Sequence, residues 1–483
     1  MIAFLRGLPG NAREYRSGAI KLLALLIAAA WLLSACAGVP ASSADAALPV
    51  EEHLGAPEVS PKPEIIEEER IPDFAERLAA YSQLPEVRRL GLRVFPQDAR
   101  IVQAAGNELI DLKPVFRDKD TAFYDTAAGA VGIIAEAYVS QIVELDGEGI
   151  VELKLERDTP IARRLGELPT ASLPKSVRFS PDGQRLYVVH LADKTPVSEY
   201  QVNPFAWIRN FELPREYAAQ EGFVESCILP GRGELWISQM TTSRLHVFDL
   251  ANGSWLGTVK LSGNWPKVIT ADAHEAKLYV SCWLSDTVSV VDAASRRETA
   301  SLKTGPTPRG LKITPDGRDI LVARFGDSAV DRINLLSGTR RVYDAAPGKI
   351  YAMRHIVYNE RRAEYYITAM GAGRVYRLSE SGEWLGWWQV GEKPNTSAIS
   401  PDSRWLLVST RGPNNPDTGY LNRGYEYGKI YFIDLEKGEP VLWIWGRDQP
   451  TGLDISPDGA YFAFTDFLSN RLELYALAPN SKL

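Results

Sequence analysis

The chain has 483 residues, of which 45% are hydrophobic and 24% charged, with 38 Gly and 31 Pro; this is the composition of folded protein with ample material for a core. The formal net charge is -7, with the acidic excess densest in residues 36–80, so no broad basic field exists to bind nucleic acid. Three cysteines are too few for a disulfide scaffold.

The first 35 residues carry Arg6, Arg13, Arg16 and Lys21, then an apolar run over 22–33, then Leu33-Ser34-Ala35-Cys36. A basic segment, about a dozen apolar residues and small residues at a cleavage point make a secretory leader, and the run is short of the ~20 needed to span a bilayer. The pattern resembles the signal peptide and lipobox of bacterial lipoproteins. That resemblance implies that Cys36 is lipidated and that the chain is tied to a membrane by acyl chains. Ala37 implies outer-membrane delivery in a Gram-negative source. A spanning anchor with an incidental cysteine is the alternative.

Residues 36–80 hold ten acidic and three basic side chains with six prolines. Such a stretch cannot bury enough apolar surface to offset chain entropy and reads as a tether. Its end, about 71–84, has near-helical spacing through Phe74, Leu78 and Tyr81.

Residues 86–157 alternate apolar and polar residues in strands near 90–96, 99–102, 131–138 and 151–156. The opening Leu90-Gly91-Leu92-Arg93-Val94-Phe95-Pro96 and the final Val151-Glu152-Leu153-Lys154-Leu155 resemble the PEGA family of extracytoplasmic β-domains. A small β-sandwich without chemistry of its own is what that implies. The middle, 114–127, departs from the pattern.

From residue 158 to 480 the chain repeats. Phe179-Ser180-Pro181-Asp182-Gly183, Ile313-Thr314-Pro315-Asp316-Gly317, Ile399-Ser400-Pro401-Asp402-Ser403 and Ile455-Ser456-Pro457-Asp458-Gly459 are strand-to-turn phrases, each followed by an apolar strand. Weaker copies lead to Leu235-Trp236-Ile237-Ser238, Leu278-Tyr279-Val280-Ser281 and Tyr365-Tyr366-Ile367-Thr368, giving seven units. Four short strands per roughly 40–55 residues without helices is the signature of propeller blades. The phrases, with Asp286-Thr287-Val288-Ser289-Val290-Val291-Asp292 and Lys303-Thr304-Gly305-Pro306-Thr307-Pro308-Arg309-Gly310, resemble the YVTN-type repeats of YncE-like propellers. The expected fold is therefore all-β, a seven-bladed propeller after a small sandwich. The last unit lacks a fourth strand, and the segment 161–168 is expected to supply it and close the ring.

A site is expected where blades converge. Aligning the units at the Pro-x step places Lys175, Glu225, Lys267, Arg309, Arg354, Asn395 and Thr451 at the head of the innermost strands, around a channel mouth. Four of the seven are cationic, an arrangement that an anionic ligand would relieve. The second strands end on His190, Gln239, Cys282, Arg324, Ala369, Thr410 and Asp466, with Trp283, Phe325, Arg411 and Phe467 one step further. Arginine with aromatic rings suits carboxylates, phosphates or sugars; a solvated mouth with structural ion pairs is the bland alternative. The long insertion 412–428, with Tyr420, Arg423 and Tyr425, reads as a recognition loop.

Catalytic patterns are scarce. The five histidines lack metal-ligand spacing, and there is no phosphate loop, nucleophile elbow or haem-attachment motif. Cys227 and Cys282 are either bridged or two separate buried thiols, and His246, inside a third strand, is structural. These residues point to a lipid-anchored binding propeller for an anionic or glycan-like envelope component or a protein partner, without metal or cofactor. A metal-dependent, lactonase-like hydrolase drawing on Glu225, Asn395 and Asp466 is one alternative, and a scaffold subunit of an envelope complex another.

Overall fold

The computed structural model describes residues 78–79, 83–95, 99–106, 108–118, 121–134, 141–145, 150–154, 159, 161–414, 419–422 and 427–477. The leader, Cys36 and nearly all of the tether lie outside them. Among the described residues, no helix is long and apolar enough to cross a membrane.

Nine four-stranded sheets account for almost all of the described chain. Two come first. One orders Phe116–Asp118, Thr121–Ala128, Gln83–Phe95 and Ile150–Lys154; the other orders Glu108–Asp111, Arg100–Ala105, Ala130–Ile134 and Gln141–Glu144. Leu90, Leu92 and Tyr124 of the first meet Ile101, Val131 and Ile133 of the second in one apolar core, so the pair is a sandwich. Within the middle segment, which departs from the resembled family's pattern, Thr121–Ala128 is a regular strand in which every second residue is buried. Small and hydroxyl side chains fill that inward face, which is why hydropathy alone misses it. The expected helix is confined to Leu78 and Ala79 in the described part, because strand pairing has begun by Gln83.

The other seven sheets follow in sequence from residue 162 to 477. Their first strands are Pro174–Phe179, Phe223–Leu229, Pro266–Ala271, Pro308–Ile313, Met353–Asn359, Pro394–Ile399 and Pro450–Ile455. Each contacts the first strand of the next sheet, and the last contacts the first, so the sheets form a closed ring, a β-propeller. Closure is by Ala162–Pro169, which pairs antiparallel with Arg471–Leu477, Leu168 opposite Leu472. Arg164 and Arg447 reinforce that seam through Glu473 and Glu167 at 3.3 Å and 2.6 Å.

The recurrent Ser/Thr-Pro-Asp phrase has one physical explanation. The hydroxyls of Ser180, Thr314, Ser400 and Ser456 donate to the carboxylates of Asp182, Asp316, Asp402 and Asp458 at 2.5–2.6 Å. Each hydroxyl also accepts the N–H opening the second strand, at 2.9–3.0 Å. The hydroxyl, one carboxylate oxygen and the N–H entering the next strand are thereby matched locally in each turn. The apolar cores lie between neighbouring sheets, as where Leu186, Val188 and Tyr200 meet Ala463, Leu472 and Leu474. Sandwich and propeller belong to one compact unit. Leu78, Val102, Ala130 and Ile134 pack against Tyr427 and Trp445 beside the sixth sheet of the ring.

Candidate functional site at the channel mouth

The mouth is built by a device repeated in all seven sheets. The residue before each first strand is left-handed: Leu173, Gly222, Trp265, Thr307, Ala352, Lys393 and Gln449, with φ between 50° and 108°. Six of these are not glycine, so the backbone is held in a costly conformation at six of seven equivalent places around one end of the channel. Each of their carbonyls accepts the N–H of the residue following the second strand (Leu191, Met240, Trp283, Phe325, Met370, Arg411 or Phe467) at 2.8–3.1 Å. Those seven residues form a rim.

The first residue of each inner strand pairs with the last of the second strand, and the ladder then slips. The slipped residue is Lys175, Val224, Lys267, Arg309, Arg354, Asn395 or Thr451. Such a bulge re-aims a side chain and leaves ladder groups unmatched. A hydroxyl one residue before the end of the second strand repairs it. Ser238, Ser281, Thr368 and Ser409 donate to the carbonyls of Lys267, Arg309, Asn395 and Thr451 in the next sheet, at 2.7–3.2 Å. They also accept an N–H from their own inner strand, at 3.0–3.2 Å. Thr465 makes the same link more loosely to the Pro174 carbonyl, at 3.5 Å. These hydroxyls, unread in the sequence, fix the direction of the side chains that matter.

Lys175, Lys267, Arg309, Arg354 and Arg411 converge, each 9% exposed or less. Burial pushes the Lys175 and Lys267 ammonium groups well below the usual lysine range, and the neighbouring cations push them further. Burial and then Arg309 and Arg411 do the same to Arg354, and the Arg411 guanidinium falls to about 10. Among the described residues, the only ion pair these five make is Arg309 with Glu225, at 3.6 Å. Aromatic faces lie against four of the five, Arg354 being the exception among the described residues. Lys175 lies 4.5 Å from the Phe467 ring, Lys267 5.0 Å and 5.1 Å from Trp265 and Trp283, and Arg309 5.4 Å from Trp283. Arg411 stands over Tyr420 and Phe467 and bonds the Gln449 amide, which donates in turn to the Tyr420 carbonyl at 2.7 Å.

Lys175, Lys267, Arg309, Arg354, Asn395 and Thr451 thus occupy one structural position, as expected. Glu225 does not: Val224 is the slipped residue of its sheet, and Glu225 follows it. The second sheet begins on Phe223 rather than proline, which removed the landmark. The second-strand ends are not mouth residues. His190 is fully buried with Nδ1 3.2 Å from the Thr195 carbonyl, and burial lowers it to about 4. Gln239 bonds the Gln220 carbonyl at 2.8 Å and His246 at 3.0 Å, so His246 is structural. Arg324 pairs with Asp327 and with Asp331, and Asp466 faces Glu473 and accepts the Arg447 N–H at 2.8 Å. Pairing in the ladder turns these side chains to the faces between neighbouring sheets, while the next residue reaches the rim.

Arg423 and Tyr425 lie outside the described residues; of their loop, Tyr420 borders the mouth and Tyr427 packs against the sandwich. Cys227 and Cys282 are free thiols, both raised to about 11 by burial. Among the described residues, no three His, Cys, Asp or Glu side chains gather as a metal site would require. The arrangement can hold a small anion by several charge-assisted bonds at once.

The chain is similar to antigen Lp49 of Leptospira interrogans, with 34% identity over 342 residues, 69% of this chain and 72% of that protein. Among solved structures it resembles hydrazine synthase of Kuenenia stuttgartiensis, with a TM-score of 0.53 and 17% identity over 65% of this chain and 98% of that one. It also resembles virginiamycin B lyase of Staphylococcus aureus, with a TM-score of 0.53 and 14% identity over 65% and 99%. At these identities the likeness to solved structures is one of fold. No family profile matches the sequence.

Proposed function

The chain belongs to the family of the leptospiral antigen Lp49, and on that premise we propose that it is a surface-exposed binding propeller that captures an anionic ligand in its cationic mouth. The observation that carries this reading is the convergence of five buried cations with one carboxylate among them. Like charges held out of water cost stability unless something anionic relieves them. The antigen name of the relative supports a surface location. The leader and Cys36 support lipid anchoring to the envelope, with the sandwich, read as PEGA-like, beside a YVTN-type propeller. We read the protein as a binder rather than an enzyme. The oxygen ligands that a lactonase-like site would use are dispersed, since Asp466 is engaged with Glu473 and Arg447 and Glu225 with Arg309.

Titration calorimetry of the full chain with pyrophosphate tests the reading. Replacing Lys267, Arg309 and Arg354 together by Ala is expected to abolish binding; unchanged binding would count against it.

A further inference from the structure

The ring at the mouth is not uniformly charged. At the heads of the inner strands the cations come from the first, third, fourth and fifth sheets, whereas the sixth and seventh contribute Asn395 and Thr451 there; Arg411 is the sixth sheet's rim residue. Asn395 is fully buried, yet neither its amide oxygen nor its amide nitrogen has a hydrogen-bond partner among the described residues. Its backbone carbonyl is fixed by Thr368 at 3.2 Å, so the side chain projects from the same pinned bulge as the cations. Thr451 donates to the Gln449 carbonyl at 2.9 Å, which leaves its hydroxyl oxygen able to accept. A buried carboxamide with both ends open belongs in a structure that supplies it a partner with both a donor and an acceptor.

Resting on the anion-binding reading above, we propose that the ligand is an acidic sugar, a phosphorylated or carboxylated saccharide. Its charged group sits among the lysines and arginines, and its hydroxyls bond the Asn395 carboxamide. A vicinal hydroxyl pair both donates and accepts, which is what the open amide requires. An anion without a hydroxyl offers acceptors only, so it would satisfy the cations and leave the Asn395 amide oxygen without a donor. The Trp283 ring, 4.8 Å from that of Phe325, adds an apolar wall on which a sugar face can rest.

The test compares glucose 6-phosphate with cyclohexyl phosphate, which has the same charge on a ring without hydroxyls, by calorimetry on the full chain. Glucose 6-phosphate is expected to bind about tenfold more tightly or better, from two or more hydrogen bonds. In Asn395→Leu the difference is expected to vanish while both still bind. Equal affinities in the wild-type chain, which need no variant to interpret, overturn the proposal and leave anion binding standing. Failure of both probes and of pyrophosphate removes the anion-binding reading itself. A digalacturonate probe separates the sources: tighter binding than glucose 6-phosphate assigns a unit of an acidic polysaccharide, and weaker binding a free sugar phosphate.

Discussion

Arg309 Nη2 stands 3.6 Å from Glu225 Oε1, and this contact joins the fourth sheet of the ring to the second across the channel mouth. Around it lie four more buried cations without a carboxylate partner among the described residues. The imbalance gives the mouth its chemistry and sets what should happen when individual groups are changed.

Glu225→Gln removes the single compensating charge. The apo protein is expected to lose about 3 kcal/mol, the order seen when one partner of a buried pair is deleted. Part of the loss should return with pyrophosphate, which binds only the folded state. Urea denaturation with and without the anion checks both.

Anion binding should take up protons. In the free protein, burial and then neighbouring cations hold the Lys175 and Lys267 groups below the usual lysine value. A bound anion restores the charged form and raises those values. Between the free and bound values, affinity must therefore weaken as pH rises. Calorimetry in buffers of different ionisation enthalpy should show net uptake.

The inter-sheet hydroxyls should carry measurable stability. Ser281→Ala leaves the Arg309 carbonyl and the Val268 N–H without their partner, bonds now at 2.7 Å and 3.1 Å. About 1–3 kcal/mol of destabilisation is expected. Thr368→Val, nearly isosteric, should cost a similar amount and loosen Asn395, read as a lower denaturation midpoint.

The ring closure contains a buried carboxyl pair with its own pH signature. Asp466 and Glu473 face each other, and burial, then for Asp466 the neighbouring Glu473, raises both above the ordinary range despite Arg164 and Arg447 nearby. Tyr475 donates to Glu473 at 3.1 Å, and Glu167 is the remaining acid at the seam. The native state keeps a proton that the unfolded chain releases above about pH 4. Stability is therefore full below that value and falls as pH rises through the raised native values. Asp466→Asn should flatten this dependence, measured by urea denaturation between pH 5 and 8.

Much of this architecture was legible because its causes are local. The Ser-Pro-Asp-Gly turns, the apolar second strands and the missing fourth strand each leave a mark in a short window, so the ring and its closure by 162–169 could be read directly. The cations were legible where proline marks the strand head, as at Pro174-Lys175, Pro266-Lys267 and Pro308-Arg309. Glu225 was placed one residue early because Phe223 replaces that proline. His190 and Asp466 were misassigned to the mouth because a bulge reverses the usual alternation between neighbouring side chains. The open amide of Asn395 could not be read at all, since it depends on what three-dimensional neighbours fail to supply.

The most direct test of the central claim is the melting midpoint of Arg354→Met, with and without pyrophosphate. Among the described residues Arg354 makes no ion pair, and burial with its cationic neighbours pushes it well below the usual arginine range. A site kept for an anion at the expense of stability predicts a higher midpoint without ligand and a diminished anion-induced rise. A lower midpoint with an undiminished response to pyrophosphate would mean that Arg354 supports the fold and that the anion binds elsewhere, which contradicts the account.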